Sequence, residues 1–285
     1  MSRILITGAT GNIGKELVKS LKARGIEFAI MSHRPDARAD VPVVHGDFRQ
    51  PETLAAAFTG VETLFILTPL EPDMLAMTQN AVAAAKAAGI KHIVRSSGAG
   101  ADPDSPFSIA RVHGAADRCV QESGLAWTLV RPNFFMQNHL GYYLEQIRSG
   151  AHTVPRGNGA ISIIDTHDVA DSVAAILANP AAHAGRIYTL TGSEALTSAE
   201  QMAVISTAIG HEVRYIDIPD ESAIAAMTTM GIPAVVVDWL MSLNAVVKAG
   251  YAGGISDDVL KLTGRPPRRF ADFVKANASR WLPTN

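Results

Sequence analysis

The chain of 285 residues holds a single cysteine, Cys119, and only 6% of its residues are aromatic. A lone cysteine closes no internal disulfide, which fits a cytoplasmic location and a fold held by its own core. A chain this long buries roughly 75% of its unfolded surface, so it needs no staple. No apolar run approaches the ~18 residues of a membrane span. The first such run, Ile4–Thr7, is also too short for a leader-peptide core. Lys and Arg total 25 against 27 Asp and Glu, so no basic excess points to nucleic acid. The nine histidines are scattered, and neither "HGDF" nor "DTHD" has a third ligand for a metal. With nucleic acid, membrane and metal set aside, a small-molecule substrate is the expected partner.

What is present is an alternation of short apolar runs and helical patterns. Strands are expected at Ile4–Thr7, Phe28–Met31, Thr63–Leu67, His92–Arg95 and Trp127–Val130. Helices are expected at Ile13–Arg24, Pro51–Phe58, Met74–Ala88 and Ser108–Ser123. Several strands are apolar throughout, as parallel strands covered on both faces are. The rhythm predicts an α/β fold, a doubly wound parallel sheet with right-handed crossovers. After Arg131-Pro132 the rhythm changes. Loops, short strands ("RIYTLTG", "VRYIDIP") and a largely helical stretch over Glu221–Ala249 suggest a smaller C-terminal α/β lobe. The expected division is 1–155, also taking the helix near 165–178, and an interleaved lobe over 156–285. Asp165 or Thr166 is the expected N-cap of that helix.

Gly8, Gly11 and Gly14 form G-x-x-G-x-x-G directly after the first strand and at the mouth of an amphipathic helix. Glycines let backbone approach a pyrophosphate, whose charge is stabilised by the free N–H groups of a helix start. Gly8, Thr10, Gly11, Asn12, Ile13 and Gly14 are therefore candidate cofactor residues of a Rossmann unit. About 20 residues on, an NAD-binding unit carries a carboxylate for the ribose 2′-hydroxyl. Here the chain reads Ser32-His33-Arg34, then Arg38. A hydroxyl and two guanidinium groups suit a 2′-phosphate, so NADP (as NADPH) is expected over NAD. Asp47 and Phe48 could meet the adenine, and Thr68 and Pro69 of "LTPL" the ribose and nicotinamide side.

The motifs "TGATGNIG", "GDF", "SSGA", "ESGLAWTLVRPNFFMQN", "YTLTGSEALT" and "LTGRPPRRFADFV" extend from residue 7 to 274. In order and spacing the chain resembles the atypical short-chain dehydrogenases of the NmrA-like group. That group includes triphenylmethane reductase-like and NADPH:quinone oxidoreductase-like enzymes. The resemblance implies a Rossmann domain binding NADP and a small lobe closing over the nicotinamide. It also implies a substrate pocket at Asn133, Phe134, Phe135, Met136 and Asn138, a segment rich in rings and amides.

Typical short-chain dehydrogenases use Tyr-x-x-x-Lys, the lysine lowering the tyrosine pKa for proton donation. Here Ile109 and His113 fall at those places. His113, with Ser96 and Ser97 at the end of a strand, is then the candidate catalytic set, polarising or orienting the acceptor. Two functions follow. One is an oxidoreductase passing hydride to a quinone, dye-like or other conjugated electrophile, which needs little acid help. The other is an inactive NADP sensor acting through a protein partner. The intact pocket segment and the lack of a regulatory extension favour the enzyme. The apolar cluster around Trp239 serves as a lid or homodimer contact in the first reading and as a partner patch in the second.

Overall fold

The computed structural model describes residues 3–34 and 40–282. Six strands form in chain order in the first half: β1 (Ile4–Ile6), β2 (Ala29–Ser32), β3 (Val43–His45), β4 (Thr63–Ile66), β5 (His92–Ser96) and β6 (Ala126–Pro132). They are followed by β7 (Ala151–Thr153), β8 (Ala160–Ile161), β9 (Arg186–Leu190), β10 (Leu196–Thr197) and β11 (Arg214–Ile216). Seven of them make one sheet in the order β3-β2-β1-β4-β5-β6-β9. The registered pairs from β3 through to β6 are all parallel. This is a Rossmann-like α/β sheet with its order reversing at β1 and β4. β4 and β5 are buried at every residue, as strands covered on both faces must be.

The helix Asn12–Ala23 follows β1 and buries Ile13, Leu17 and Leu21, spaced four apart on one stripe. Each such side chain contributes about 1.5–3 kcal/mol on burial. The main core beneath the sheet gathers Leu5, Phe48, Phe58, Leu64, Ile66, Met77, Ile93 and Leu129.

The chain divides into two compact units. The first holds residues 1–105, 110–131 and 169–189. The second holds 106–109, 132–168 and 190–285. Residues 132–155, which the sequence groups with the nucleotide-binding half, cluster in the second unit. The helix Thr166–Ala178 contributes its residues from Val169 onward to the first.

In the second unit β8 pairs antiparallel with β10, and β7 parallel with β11. A second core collects Met136, Ile147, Ile161, Met202, Ile205, Phe270, Phe273 and Trp281. Thr197 and Glu200 form a reciprocal capping box at the start of helix Ser198–Ile209. The stretch expected to be helical over 221–249 is two helices, Asp220–Thr229 and Ala234–Lys248. The chain turns at Gly231, whose φ is +74°, and Pro233 cannot continue a helix. Asp165 caps Thr166–Ala178, its Oδ1 accepting the His167 N–H at 2.9 Å. The arginines of "RPPRR" have a structural use here. Arg265 and Arg268 both donate to Asp168, which is fully buried. Burial still raises the Asp168 pKa, with the arginines opposing it.

Candidate functional site

In the first unit the glycine loop is fixed from both sides. The Thr7 hydroxyl donates to the Phe65 carbonyl at 3.0 Å and accepts the Leu67 N–H at 2.9 Å, tying the ends of β1 and β4 together. Gly8 has φ +68°, and a Cβ there would sit 2.9 Å from Leu67. A Cβ on Gly14 would lie 2.1 Å from the Gly8 carbonyl oxygen, so only glycine lets helix and loop close up. Gly11 stands at the N-cap, no side chain caps the helix, and no acidic residue occupies its first turn. Thr10, Gly11 and Asn12 are exposed, while Ile13 is buried and offers only its backbone. A bare helix start with this cradle fits the pyrophosphate of a dinucleotide.

At the end of β2, the Ser32 hydroxyl accepts the Arg34 N–H at 3.0 Å, holding Arg34 and His33 on the exposed side of the turn. Arg38 lies outside the described residues. Asp47 is half-buried and turns back to accept the Arg49 N–H at 2.9 Å. Phe48 is 6% exposed and packs in the main core. Thr68 is half-buried and Pro69 exposed just beyond β4.

At the end of β5, Ser96 and Ser97 are buried, and the Ser97 hydroxyl has no hydrogen-bond partner. The Ser97 N–H donates to the Val130 carbonyl at 2.7 Å, fixing this corner to β6. His113, on helix Ser108–Gln121, lies against Gly98, where an added Cβ would stand 3.3 Å from the imidazole. Its Nδ1 is also unpartnered. Burial, then the charges of Arg95 and Arg131, push the His113 pKa down to about 3. The ring is therefore neutral at pH 7. Ile109, one turn earlier, is buried, and its N–H donates to Ser242 Oγ at 3.2 Å.

The neighbours that set this potential were not evident from sequence. Arg95 is fully buried in β5 and donates to Asp117, which lies four residues beyond His113 on the same helix. Arg131 reaches the other Asp117 oxygen with Nε at 3.0 Å and Nη2 at 2.9 Å. Two guanidinium groups thus share one carboxylate, and Arg95 Nε and Nη2 stay unpartnered. The visible signal was the arginine interrupting the apolar run "HIVRSS".

In the second unit the segment 133–138 separates into two kinds of residue. Asn133 is spent inside: its amide nitrogen donates to Ser162 Oγ at 2.7 Å and to the Ala252 carbonyl at 2.8 Å. Its Oδ1 accepts the Phe134 N–H. Met136 is 1% exposed and belongs to the second core. Both side chains are held inside the unit in this structure. Phe134, Phe135 and Asn138 remain half-buried. Trp239 is 5% exposed, so no surface patch centres on it.

The NAD(P)H-binding family model matches residues 8–180. An NAD(P)H azoreductase of Xenophilus azovorans is 43% identical over 281 residues, 97% of this chain and 98% of that protein. The NADPH complex of an NADPH-dependent quinone oxidoreductase from Escherichia coli superposes with a TM-score of 0.86 at 28% identity. That match covers 96% of this chain and 99% of the other. The NADP(H) complex of a Citrobacter triphenylmethane reductase gives 0.83 at 26% identity, covering 98% and 100%. With its bare helix start, glycine cradle and seven-stranded sheet, the chain belongs to the NAD(P)H-binding, NmrA-like group of atypical short-chain dehydrogenases, and it is an NAD(P)H-dependent oxidoreductase.

Proposed function

We propose that the protein is an NADPH-dependent reductase of activated small molecules, quinones and dye-like conjugated electrophiles, working without the Tyr-x-x-x-Lys pair. The observation that carries this reading is the corner at Ser97 and His113. A free hydroxyl and a neutral imidazole stand there beside two arginines that share one carboxylate. In the sequence, Ile109 stands where the tyrosine acid would fall.

When bound, the nicotinamide cofactor supplies a hydride, two electrons with one proton, to an electrophilic atom of the acceptor. The acceptor then carries the resulting negative charge. Ser97 donates its hydroxyl proton in a hydrogen bond to that charge, and neutral His113 offers an N–H in the same way. The surplus positive charge of Arg95 and Arg131 over Asp117 stabilises the same anion through a low-dielectric interior. The proton that completes the reduced product comes from water. Acceptors that hold negative charge well, such as quinones, fit this machinery, and unactivated ketones do not.

Cofactor choice rests on Arg34, presented by the Ser32 turn where a carboxylate would select NAD. The deciding experiment is NADPH consumption against a panel of quinones, azo and triphenylmethane dyes, and simple aldehydes and ketones. Turnover of the first groups and not the last is expected. Tight NADPH binding with no turnover of any acceptor would replace the reductase by a cofactor sensor.

A further inference from the structure

Arg156, in "VPRGNG" between β7 and β8, is 4% exposed. Its Nε donates to Asn244 Oδ1 at 3.0 Å, and its Nη2 to the Tyr143 hydroxyl at 2.8 Å. The guanidinium carbon stands 5.1 Å from the Phe134 ring centre and 5.5 Å from that of Tyr143. These partners are all neutral. Among the described residues no carboxylate forms an ion pair with this side chain. Asp217 enters the network at the Gly157 N–H, the Tyr215 hydroxyl and the Arg156 backbone, and makes no hydrogen bond to the guanidinium.

Such a charge is costly. Removing an ion from water takes several kcal/mol unless a partner compensates it, and arginine cannot shed its proton. Two rings and two neutral acceptors recover part of this through cation–π attraction and hydrogen bonds. Next to the site, His152 is fully buried with neither ring nitrogen bonded, edge-on to Tyr143 at 4.5 Å. Burial first, then His139 and Arg156, push its pKa down to about 2, so it adds neither positive nor negative charge. The guanidinium is therefore clamped along one side, with Nη1 and the second Nη2 proton still unused. That edge has the fork geometry that receives two oxygens of one anion.

We propose that Arg156, oriented by Tyr143 and Asn244, is a specificity-determining residue that binds a carboxylate or phosphate group carried by the acceptor. This rests on the reductase reading but is measurable without turnover. The aromatic walls at Phe134 and Tyr143, both half-buried, suit an oxyanion attached to a flat ring system.

The test compares 2-naphthoate with the uncharged, equally sized 2-naphthamide, titrated into the protein saturated with NADP. Wild type should bind the naphthoate about 10- to 100-fold more tightly, the worth of a charge-assisted pair. Arg156→Met should bring the two probes within about twofold, and Arg156→Lys should keep part of the preference. Asn244→Asp sets a carboxylate on the guanidinium, cancels its charge and should remove the preference. If Arg156→Met does not fold, the wild-type comparison and Asn244→Asp decide. Equal binding of both probes by wild type, or an undiminished preference in either variant, overturns the proposal. So does a loss of NADP affinity in Arg156→Met matching the loss for naphthoate, which would assign the guanidinium to the cofactor. Naphthoate preference without turnover of any acceptor would keep this site and remove the reductase reading.

Discussion

Each unit buries arginine, and the two solutions differ. In the first, Arg95 and Arg131 meet on Asp117, so two charges share a carboxylate inside the protein. In the second, Arg156 has an amide, a phenol and two rings. The first arrangement is closed. Its members lie on β5, β6 and the helix Ser108–Gln121, and removing Asp117 leaves both guanidinium groups uncompensated. The second is open at one edge, and its cost is recovered only when an anion arrives. The contrast is between buried charge that shares a carboxylate and buried charge whose partners are all neutral.

The strongest way to break this contrast is Asp117→Asn. It strands the buried Arg95 guanidinium and the half-buried Arg131 one, and should cost about 3–5 kcal/mol of stability, read from urea denaturation. Arg156→Met should cost less, because no opposite charge is left behind. Equal losses would erase the distinction between closed and open sites.

Next comes the cofactor end. Arg34→Ala should weaken NADPH by about 10- to 100-fold, the worth of a charge-assisted hydrogen bond, and leave NADH nearly unchanged. Parallel titrations of both cofactors check this, and equal losses would detach Arg34 from the 2′-phosphate.

The buried histidines sharpen the electrostatic comparison. Burial holds His139 near about 4 and His152 near about 2, below the ordinary value of 6.5. The unfolded chain therefore binds protons that the folded chain refuses, and stability present above pH 6.5 falls as pH drops toward the folded values. His152→Phe sacrifices no hydrogen bond and removes one such group. At pH 5 it should lose about 2 kcal/mol less than wild type relative to pH 7.5. Melting curves at the two pH values decide it, and an unchanged difference would mean that His152 is not neutral in the fold.

The smallest effect concerns His113. As a neutral donor it should be worth about tenfold in turnover, the scale of one ordinary hydrogen bond. His113→Ala should lower kcat by that factor, with the pH profile between 5.5 and 8 unaltered. A profile that flattens in the variant would show a titrating histidine instead.

Periodicity and local chemistry determined the parallel strands, the amphipathic helix after β1, the cap at Asp165 and the glycine cradle. Each of these is written in residues that touch their neighbours along the chain. NAD(P) binding was legible too, because the glycine loop lies directly between a strand and a helix start. Phe48, Asn133 and Met136 show the limit. An aromatic, an amide and a thioether suit a pocket as well as an interior, and only packing against distant residues such as Ser162, Ala252 and Phe270 decided for the interior. The pKa of His113 and the open charge of Arg156 were invisible for the same reason. Both depend on which groups lie within a few ångströms across the fold, and burial in a low-dielectric interior is a property of the tertiary structure alone.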